Sequence, residues 1–283
     1  MFSGKDTMEN KLDALKENLR EMGNVMIAFS GGTDSSFLAS VAFEVLGERA
    51  LAVTAVSAIM SEREKREAVE TAVEIGLPHV LFETDQLEYE GFQENIGKRC
   101  YFCRVDLFSK MVEMAKKRDI RWVLDGTIVD DLGDHRPGLK ARNEWEVKSP
   151  LVDVGLTKED IRVLSRERKL STWDKPQEAC LASRIPWGTK VTFELLDVID
   201  KAEEYLFALG FEQVRVRHHG KIARIELGKD EIARFLEQDL KDDVVARLLS
   251  LGYQHVTLDL MGYQTGSMNV VDQRVDNKPT SGV

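Results

Sequence analysis

Residues 30–36 combine the residue types that bind phosphate groups: two glycines, several hydroxyls and one carboxylate. Gly31 and Gly32 let backbone N–H groups approach an anion closely, because neither residue carries a Cβ. The hydroxyl groups of the loop belong to Ser30, Thr33, Ser35 and Ser36. An apolar run precedes the loop and apolar residues at helical spacing follow it, which predicts a strand, a tight loop and a helix N-terminus that attracts anions. The sequence therefore predicts a polyphosphate site here.

Asp34 stands inside this loop and supplies a carboxylate that can hold Mg²⁺ against a polyphosphate. The loop lacks the Gly-Lys-Ser/Thr ending of a Walker A motif, so it contains no lysine for a γ-phosphate. An ordinary glycine turn between a strand and a helix is the alternative interpretation.

Three cysteines form a second group of chemically capable residues. Cys100 and Cys103 make a C-x-x-C pair, which is typical of a redox dithiol, half of a zinc site or cluster ligands. The five histidines have no spacing to this pair that would complete a zinc site. With Cys180 there are three thiolates, which suit an iron–sulfur cluster with one open iron. Arg99 and Arg104 flank the pair and would help to keep it deprotonated, whereas three buried apolar thiols are the alternative.

Another polar loop follows the predicted strand at residues 121–127, which ends at Asp125, Gly126 and Thr127. Its charged residues are Asp130, Asp131, Asp134, His135, Arg136, Lys140 and Arg142. We expect this loop to line a site, because it follows a sheet strand and carries both charge signs.

Composition favours a globular protein that acts on small molecules. Of 283 residues, 43% are hydrophobic and 31% are charged, and no apolar run approaches the roughly 20 residues of a membrane span. The first 21 residues have no signal-peptide pattern, so we expect a cytoplasmic protein. The net charge of −10 disfavours a polynucleotide partner such as tRNA.

The order of elements predicts an α/β fold. Apolar runs of strand length alternate with helical segments, at residues 25–29, 51–57, 79–83 and 121–127. This alternation is typical of a doubly wound parallel sheet, in which Ser57 would lie at the carboxyl edge near an adenine. Ser61 and Glu64 predict a capping box for a helix that ends at Gly76. We expect His79 to be a surface residue rather than a ligand.

From residue 193 the pattern changes to that of a smaller α+β domain. The expected elements are a helix to residue 209, strands 212–217 and 222–227 around a turn at 218–221, a helix 230–251 and a strand 255–260. We expect domains at residues 1–175 and 176–270, followed by a disordered tail at 271–283.

The opening loop, Ser30-Gly31-Gly32-Thr33-Asp34-Ser35, resembles the SGGxDS pyrophosphate loop of the ATP pyrophosphatase superfamily. That superfamily has the parallel sheet of the adenine nucleotide alpha-hydrolase (PP-loop) type, cuts ATP to AMP and pyrophosphate, and places AMP on a substrate oxygen. Other stretches resemble the sulfurtransferase family that builds the nickel-pincer nucleotide cofactor of lactate racemase, the LarE family. They are residues 125–127, 130–131, 133–134, 136–139 and 183–189, and the resemblance runs from about residue 8 to about residue 270.

This resemblance implies a substrate, pyridinium-3,5-biscarboxylic acid mononucleotide, whose carboxylates are adenylated and converted to thiocarboxylates. Best-known members of the family sacrifice the sulfur of one cysteine, at the position that matches Cys180. The additional Cys100 and Cys103 make the chain similar to members, and to tRNA-thiolating relatives, in which three cysteines hold a 4Fe-4S cluster. We therefore expect the three cysteines to be catalytic and to bind such a cluster, with a sacrificial Cys180 as the alternative.

The resemblance also implies binding residues. For ATP and Mg²⁺ they are Ser30, Gly31, Gly32, Thr33, Asp34, Ser35, Ser36, Ser57, Gly126, Thr127 and Arg104, in the first domain. For the substrate phosphate they are Ser183, Arg215 and Arg217, in a second domain for substrate binding and oligomerisation. The two arginines stand two apart on a predicted strand, so they share one face and can bind phosphate bidentately. Without the resemblance, a solvent-facing strand edge would explain them.

The resemblance has further implications. Glu203 and Glu226 match acidic positions near the phosphate, although solvated faces would explain them equally well. Gln264 and Ser267 stand where some relatives have a basic residue. We expect a homo-oligomer and a possible external sulfide donor. Competing functions are a tRNA thiouridine synthetase, an amidotransferase or synthetase that releases AMP, and a nucleotide-binding module without activity.

Overall fold

The structure is a computed structural model that describes residues 4–133 and 137–264. Its helices are α1 (Gly4–Met22), α2 (Thr33–Leu46), α3 (Glu62–Ile75), α4 (Glu90–Gln93), α5 (Arg99–Lys117), α6 (Pro137–Glu144), α7 (Pro150–Asp153), α8 (Lys158–Glu167), α9 (Phe193–Ala208), α10 (Ile232–Phe235) and α11 (Gln238–Ser250). Its strands are β1 (Val25–Ala28), β2 (Ala50–Val56), β3 (His79–Glu83), β4 (Trp122–Leu124), β5 (Val214–His219), β6 (Ile222–Leu227) and β7 (His255–Leu258). Within these described residues, no helix is both long and apolar enough to cross a bilayer.

The first of two compact units comprises the residues up to Phe92 together with 97–179. Its sheet has the order β3-β2-β1-β4, and all three strand pairs are parallel. Such strands form because runs of apolar residues can be buried on both faces of a sheet between helices. The predicted parallel α/β fold is therefore confirmed.

Side chains of β1 alternate between the two faces of this sheet. Val25 and Ile27 are fully buried in a core that includes residues of α1, α2 and α8, whereas Met26 packs with Phe108 and Met111 of α5 on the opposite face. The sheet is thus covered on both sides. Because the chain order reverses between β1 and β4, the loops that follow these two strands flank the switch point where α/β proteins bind ligands.

The predicted start and end of α3 agree with the structure. The Ser61 hydroxyl accepts from the Glu64 backbone N–H, and the Glu64 carboxylate accepts from the Ser61 backbone N–H in return. Gly76 ends the helix in the left-handed conformation. The same reciprocal cap joins Thr157 to Asp160 at the start of α8.

The second unit comprises residues 93–96 and the chain from Cys180 onwards. β5 and β6 form an antiparallel hairpin, and β7 adds in parallel to β6. One face of this sheet, including Val216 and Ile225, packs against Leu206 of α9 and Val244 of α11. The expected smaller α+β arrangement is confirmed. The predicted domain boundary at residue 175 stays a prediction, and the tail at 271–283 lies outside the described residues.

Two local predictions in this unit are wrong. His218 and His219 belong to β5, so the hairpin turn consists of Gly220 and Lys221 alone, with Gly220 at a φ of 62°. The single helix expected at 230–251 is divided into α10 and α11. The division occurs because the backbone of Glu237 is extended, with a ψ of 133°, and a helix cannot continue through it.

Candidate active site

The loop between β1 and α2 has a backbone that only glycine fits at residue 31. Gly31 has a φ of +67°, and a Cβ built there would lie 2.7 Å from the Cα of Ala68 in α3. The hydroxyls of Ser30 and Ser35 lie 3.1 Å apart across the loop. Among the described residues, the buried Ser36 hydroxyl has no hydrogen-bond partner. A tight loop with clustered hydroxyls at a helix N-terminus is an arrangement suited to phosphate.

Thr33 uses its hydroxyl within the protein. The Oγ1 atom donates to the carbonyl oxygens of Thr172, at 2.8 Å, and of Lys175, at 3.3 Å. Lys175 in turn donates from Nζ to the carbonyl oxygen of Gly31 at 3.3 Å and forms an ion pair with Glu67 at 2.6 Å. The segment at residues 172–175 is thereby fastened to the loop, a connection that the sequence did not indicate.

Asp34 is paired with a lysine from far along the chain. Lys158, the first residue of α8, places Nζ 2.8 Å and 2.9 Å from the two carboxylate oxygens of Asp34. Burial raises the pKa of Asp34, while the bond to Lys158 opposes that shift. The loop itself contains no lysine, but the fold brings Lys158 to Asp34 from 124 positions further along the chain.

Asp34 fits a Mg²⁺ ion in chemistry and position. A carboxylate is the ligand type that Mg²⁺ prefers beside phosphates, and that of Asp34 is 27% exposed in the first turn of α2. Within residues 4–133 and 137–264, no three His, Cys, Asp or Glu side chains are grouped as a protein-only metal site would require. Mg²⁺ commonly completes its shell with water and phosphate oxygens, so one carboxylate is compatible with it.

The loop that follows β4 lies against the loop between β1 and α2. A Cβ on Gly126 would lie 3.1 Å from the backbone nitrogen of Ser35. Asp125 is buried and accepts hydrogen bonds from the hydroxyls of Ser149, at 2.5 Å, and Thr127, at 2.7 Å. The two polar loops predicted from sequence therefore meet at one edge of the sheet, where Ser57 also follows its strand β2.

The C-x-x-C pair is attached to the same edge through α5. Cys100 and Cys103 lie one helical turn apart. Cys100 is exposed, and Cys103 and Cys180 are partly exposed, so the alternative of three buried apolar thiols is wrong. Arg104 of the same helix donates to the Asp125 carboxylate at 3.1 Å. Cys180 belongs to the second unit, where its carbonyl oxygen accepts from Arg184 at 3.0 Å. A shared cluster for the three thiols stays a prediction.

The second unit contains two buried arginine–glutamate pairs. Arg217 donates from Nε and Nη2 to one carboxylate oxygen of Glu226, at 3.0 Å and 2.8 Å. Arg184 makes two parallel bonds of 2.9 Å to Glu203. Glu203 is 3% exposed and Glu226 is 1% exposed, so the interpretation of these glutamates as solvated faces is wrong.

Arg215 and Arg217 share one face of β5, opposite the core valines. They are 8% and 5% exposed, so a solvent-facing strand edge does not explain them. The Arg215 guanidinium lies 5.3 Å from the ring centre of Tyr263, and Arg217 donates to the carbonyl oxygen of Ser183 at 3.2 Å. The sequence had suggested no structural role for Arg184, whose partner Glu203 also accepts from the β5 backbone at Val216.

Other predicted residues have simpler surroundings. His79 is half-buried rather than a plain surface residue: its Nε2 lies 2.8 Å from the Thr54 hydroxyl and its ring meets Phe29 edge-on. Burial lowers the pKa of His79. Asp130 accepts from the backbone N–H of Lys158, and Asp131 from that of Ile128. Gln264 is exposed, whereas Asp134, His135, Arg136 and Ser267 lie outside the described residues.

The parallel sheet with a glycine-serine loop at its switch point agrees with the first comparison, in which the NAD synthase family pattern matches residues 7–118. This defines the class: a protein with a PP-loop domain. A pyridinium-3,5-bisthiocarboxylic acid mononucleotide synthase of Lactiplantibacillus plantarum is 37% identical over 264 residues, which cover 93% of this chain and 95% of that protein. The chain belongs to the family of that synthase, the LarE family, as the sequence motifs predicted.

Two further relatives extend the comparison. An uncharacterized protein of Synechocystis is 39% identical over 264 residues, which cover 93% of this chain and 98% of that protein. One component of a glutamine-hydrolyzing GMP synthase of Saccharolobus islandicus is 26% identical, covering 82% of this chain and 78% of its own length. The similarity to the Lactiplantibacillus plantarum synthase, which covers 93% of this chain, extends over both units.

Proposed function

We propose that this protein is an ATP-dependent sulfurtransferase that converts carboxylates of pyridinium-3,5-biscarboxylic acid mononucleotide into thiocarboxylates, with release of AMP and pyrophosphate. The observation that carries the proposal is the glycine-serine loop at the switch point of a parallel sheet, in a chain similar over nearly its whole length to a synthase of the bisthiocarboxylic product.

A carboxylate oxygen is a poor leaving group, and the reaction activates it by adenylation before sulfur replaces it. A substrate carboxylate oxygen attacks the α-phosphorus of ATP, the bond from that phosphorus to the β-phosphate bridging oxygen breaks, and pyrophosphate leaves with the electron pair. A sulfur nucleophile then attacks the carboxyl carbon, and AMP leaves with the former carboxylate oxygen. The protein accelerates the first step by stabilising the charge that develops on pyrophosphate.

We assign the pyrophosphate to the loop, with the backbone at Gly31 and Gly32 and the hydroxyls of Ser30, Ser35 and Ser36 as donors. The Thr33 hydroxyl anchors the loop by donating to the carbonyl oxygens of Thr172 and Lys175. Asp34 would hold Mg²⁺, which when bound neutralises phosphate charge and orients the leaving group. The other proposed nucleotide contacts are Ser57, Gly126, Thr127 and Arg104.

We assign the substrate phosphate to Arg215, Arg217 and Ser183. Buried guanidinium groups suit a dianionic phosphate because they are weakly screened and donate in a fixed plane. Glu226 orients the Arg217 plane, and Glu203 orients Arg184 beside Ser183. The carboxylates of the pairs also reduce repulsion between the arginines before substrate binds.

For the sulfur donor we propose that Cys100, Cys103 and Cys180 hold a 4Fe-4S cluster, in which an open iron would supply a site for an additional sulfide. Thiolates are the ligands of such clusters, and the one-turn spacing of the first two suits a shared metal group. The alternative is that Cys180 gives up its own sulfur.

The central proposal is tested by incubating the protein with ATP, Mg²⁺, sulfide and the biscarboxylic mononucleotide, without oxygen. We expect AMP to appear only when the substrate is present, together with a product in which sulfur replaces oxygen in its mass spectrum. A mononucleotide without carboxylates is the matched control and should give no AMP. Equal AMP formation without a carboxylate substrate, or ADP as the product, would contradict the proposal.

The sulfur source is tested separately by iron and sulfide analysis of protein purified without oxygen. We expect bound iron in the unchanged protein and its loss in Cys103→Ala and Cys180→Ala. If the protein is free of iron, active, and loses the sulfur of Cys180 as turnover proceeds, the sacrificial alternative is correct and the cluster assignment is wrong.

A further inference from the structure

The Asp34–Lys158 ion pair places an ammonium group beside the loop, at the first turn of α2. Both carboxylate oxygens of Asp34 lie within 2.9 Å of Lys158 Nζ, and the side chains are 27% and 29% exposed. A ligand in the loop could therefore reach both groups. The ammonium is a compact charge on a flexible four-carbon stem, so it can change partners without movement of the backbone.

The backbone that carries this lysine is firmly held. The backbone N–H of Lys158 donates to Asp130 at 3.0 Å, and the reciprocal cap of Thr157 and Asp160 fixes the first turn of α8. Further along the helix, Ile161 and Leu164 are buried in the same core as residues of α2. A change of partner by Lys158 would thus involve its side chain alone, which contacts the first turn of α2.

We propose that Lys158 is the phosphate-binding lysine that the loop itself lacks. Without a metal ion the ammonium pairs with Asp34, and with that carboxylate engaged by Mg²⁺ it would instead contact the β- and γ-phosphates of ATP. This rests on the proposed function. The exchange conserves charge pairing, since Asp34 exchanges one cation for another and the released cation meets an anion. It also selects for the triphosphate, because AMP carries neither of the phosphates that Lys158 would contact.

The test measures binding of a non-hydrolysable ATP analogue and of AMP, each with Mg²⁺, by calorimetry. A charge-assisted contact contributes about 1.5–3 kcal/mol, so we expect Lys158→Met to weaken binding of the analogue roughly 10- to 150-fold. AMP binding should remain unchanged, and Lys158→Arg should retain part of the preference for the triphosphate. Lys158→Met keeps the apolar stem and its packing, and a thermal melt checks that it folds.

Lys11→Ala is the matched control. Lys11 belongs to α1 and forms a 2.7 Å ion pair with Asp160 in the same first turn of α8, with an exposure similar to that of Lys158. We expect Lys11→Ala to bind both nucleotides as the unchanged protein does. Equal binding of the analogue by Lys158→Met and the unchanged protein, or equal weakening for AMP, would overturn the role of Lys158 alone. Failure of the unchanged protein to bind the analogue would overturn the proposed function as well.

A second experiment tests the exchange itself, with the ATP analogue in the presence of a metal chelator. Asp34→Asn releases Lys158 from its carboxylate, so we expect tighter metal-free binding than in the unchanged protein. The gain should disappear in the double variant Asp34→Asn, Lys158→Met. If the double variant keeps the gain, the loss of the Asp34 charge alone explains it and the exchange is wrong.

Discussion

At the scale of single residues, the candidate site is built by side chains that already bind other parts of the chain. Thr33 contacts carbonyl groups of residues 172 and 175, Thr127 contacts Asp125, and Asp34 contacts Lys158. Such contacts fix the loop before a ligand arrives, which lowers the entropy that binding must overcome. Hydroxyl groups that sequence motifs suggest as ligands can therefore serve as anchors instead.

Gly31→Ala tests the shape of the loop. Alanine at a φ of +67° is strained, and its Cβ would collide with the backbone of Ala68. We expect a loss of about 1–3 kcal/mol in the free energy of unfolding, measured with denaturant. Gly155→Ala is the control for strain alone, because Gly155 has a φ of +71° with nothing within 4 Å of the added Cβ, and we expect it to lose less stability than Gly31→Ala. Equal losses in the two variants would show that the contact with Ala68 is unimportant.

Thr33→Val separates anchoring from phosphate binding. Valine keeps the shape but leaves the carbonyl oxygen of Thr172 without this donor, so we expect a loss of about 1–2 kcal/mol in stability. Thr33→Ser should retain most of the stability because it keeps the hydroxyl. A Thr33→Val protein of unchanged stability but strongly reduced ATP affinity would mean that the hydroxyl binds phosphate directly.

At the scale of elements, β5 and β6 carry buried charge on one face and the core on the other. Glu226 accepts from both Arg217 and Arg224, so Glu226→Ala would leave two arginines without this partner. We expect a loss of about 3–5 kcal/mol in the free energy of unfolding. Glu212→Ala, at an exposed position in the same unit, should change stability by less than about 0.5 kcal/mol. Similar small losses of stability in both variants would contradict the role of Glu226 as the buried partner of Arg217 and Arg224.

The half-buried His79, the first residue of β3, makes the stability of the protein depend on pH. Burial lowers the pKa of His79, so the unfolded chain binds more protons than the folded chain below the ordinary value of 6.5. Stability is therefore lost as the pH falls from 6.5 towards the folded-state pKa. The same direction holds for the pKa values of His218 and His219.

We expect the melting temperature to fall between about pH 7.5 and about pH 5.5, and to fall less in His79→Gln, whose amide can still bond to Thr54. Thermal melts over this range measure the difference. An identical pH dependence in His79→Gln would mean that His79 contributes nothing to it.

At the scale of the whole molecule, local sequence signals predicted elements better than partners. Apolar runs indicated the four parallel strands, and Ser61, Glu64 and Gly76 indicated α3, because those signals act within a few residues. Lys158 and Lys175 could not be found in this way, since only the fold brings them to a loop that lies over a hundred residues away. The hairpin prediction was wrong at His218 and His219 because these two polar residues directly precede Gly220 and therefore resemble part of the turn, whereas both pair with β6.

The most direct test of carboxylate adenylation follows one atom through the reaction. The carboxylates of the biscarboxylic mononucleotide are labelled with a heavy oxygen isotope, and AMP is recovered and weighed by mass spectrometry. Because the proposed adenylate transfers its carboxylate oxygen to phosphorus, we predict one heavy oxygen atom in each AMP molecule formed with thiocarboxylate product. Unlabelled AMP, formed together with that product, would contradict the proposed adenylation.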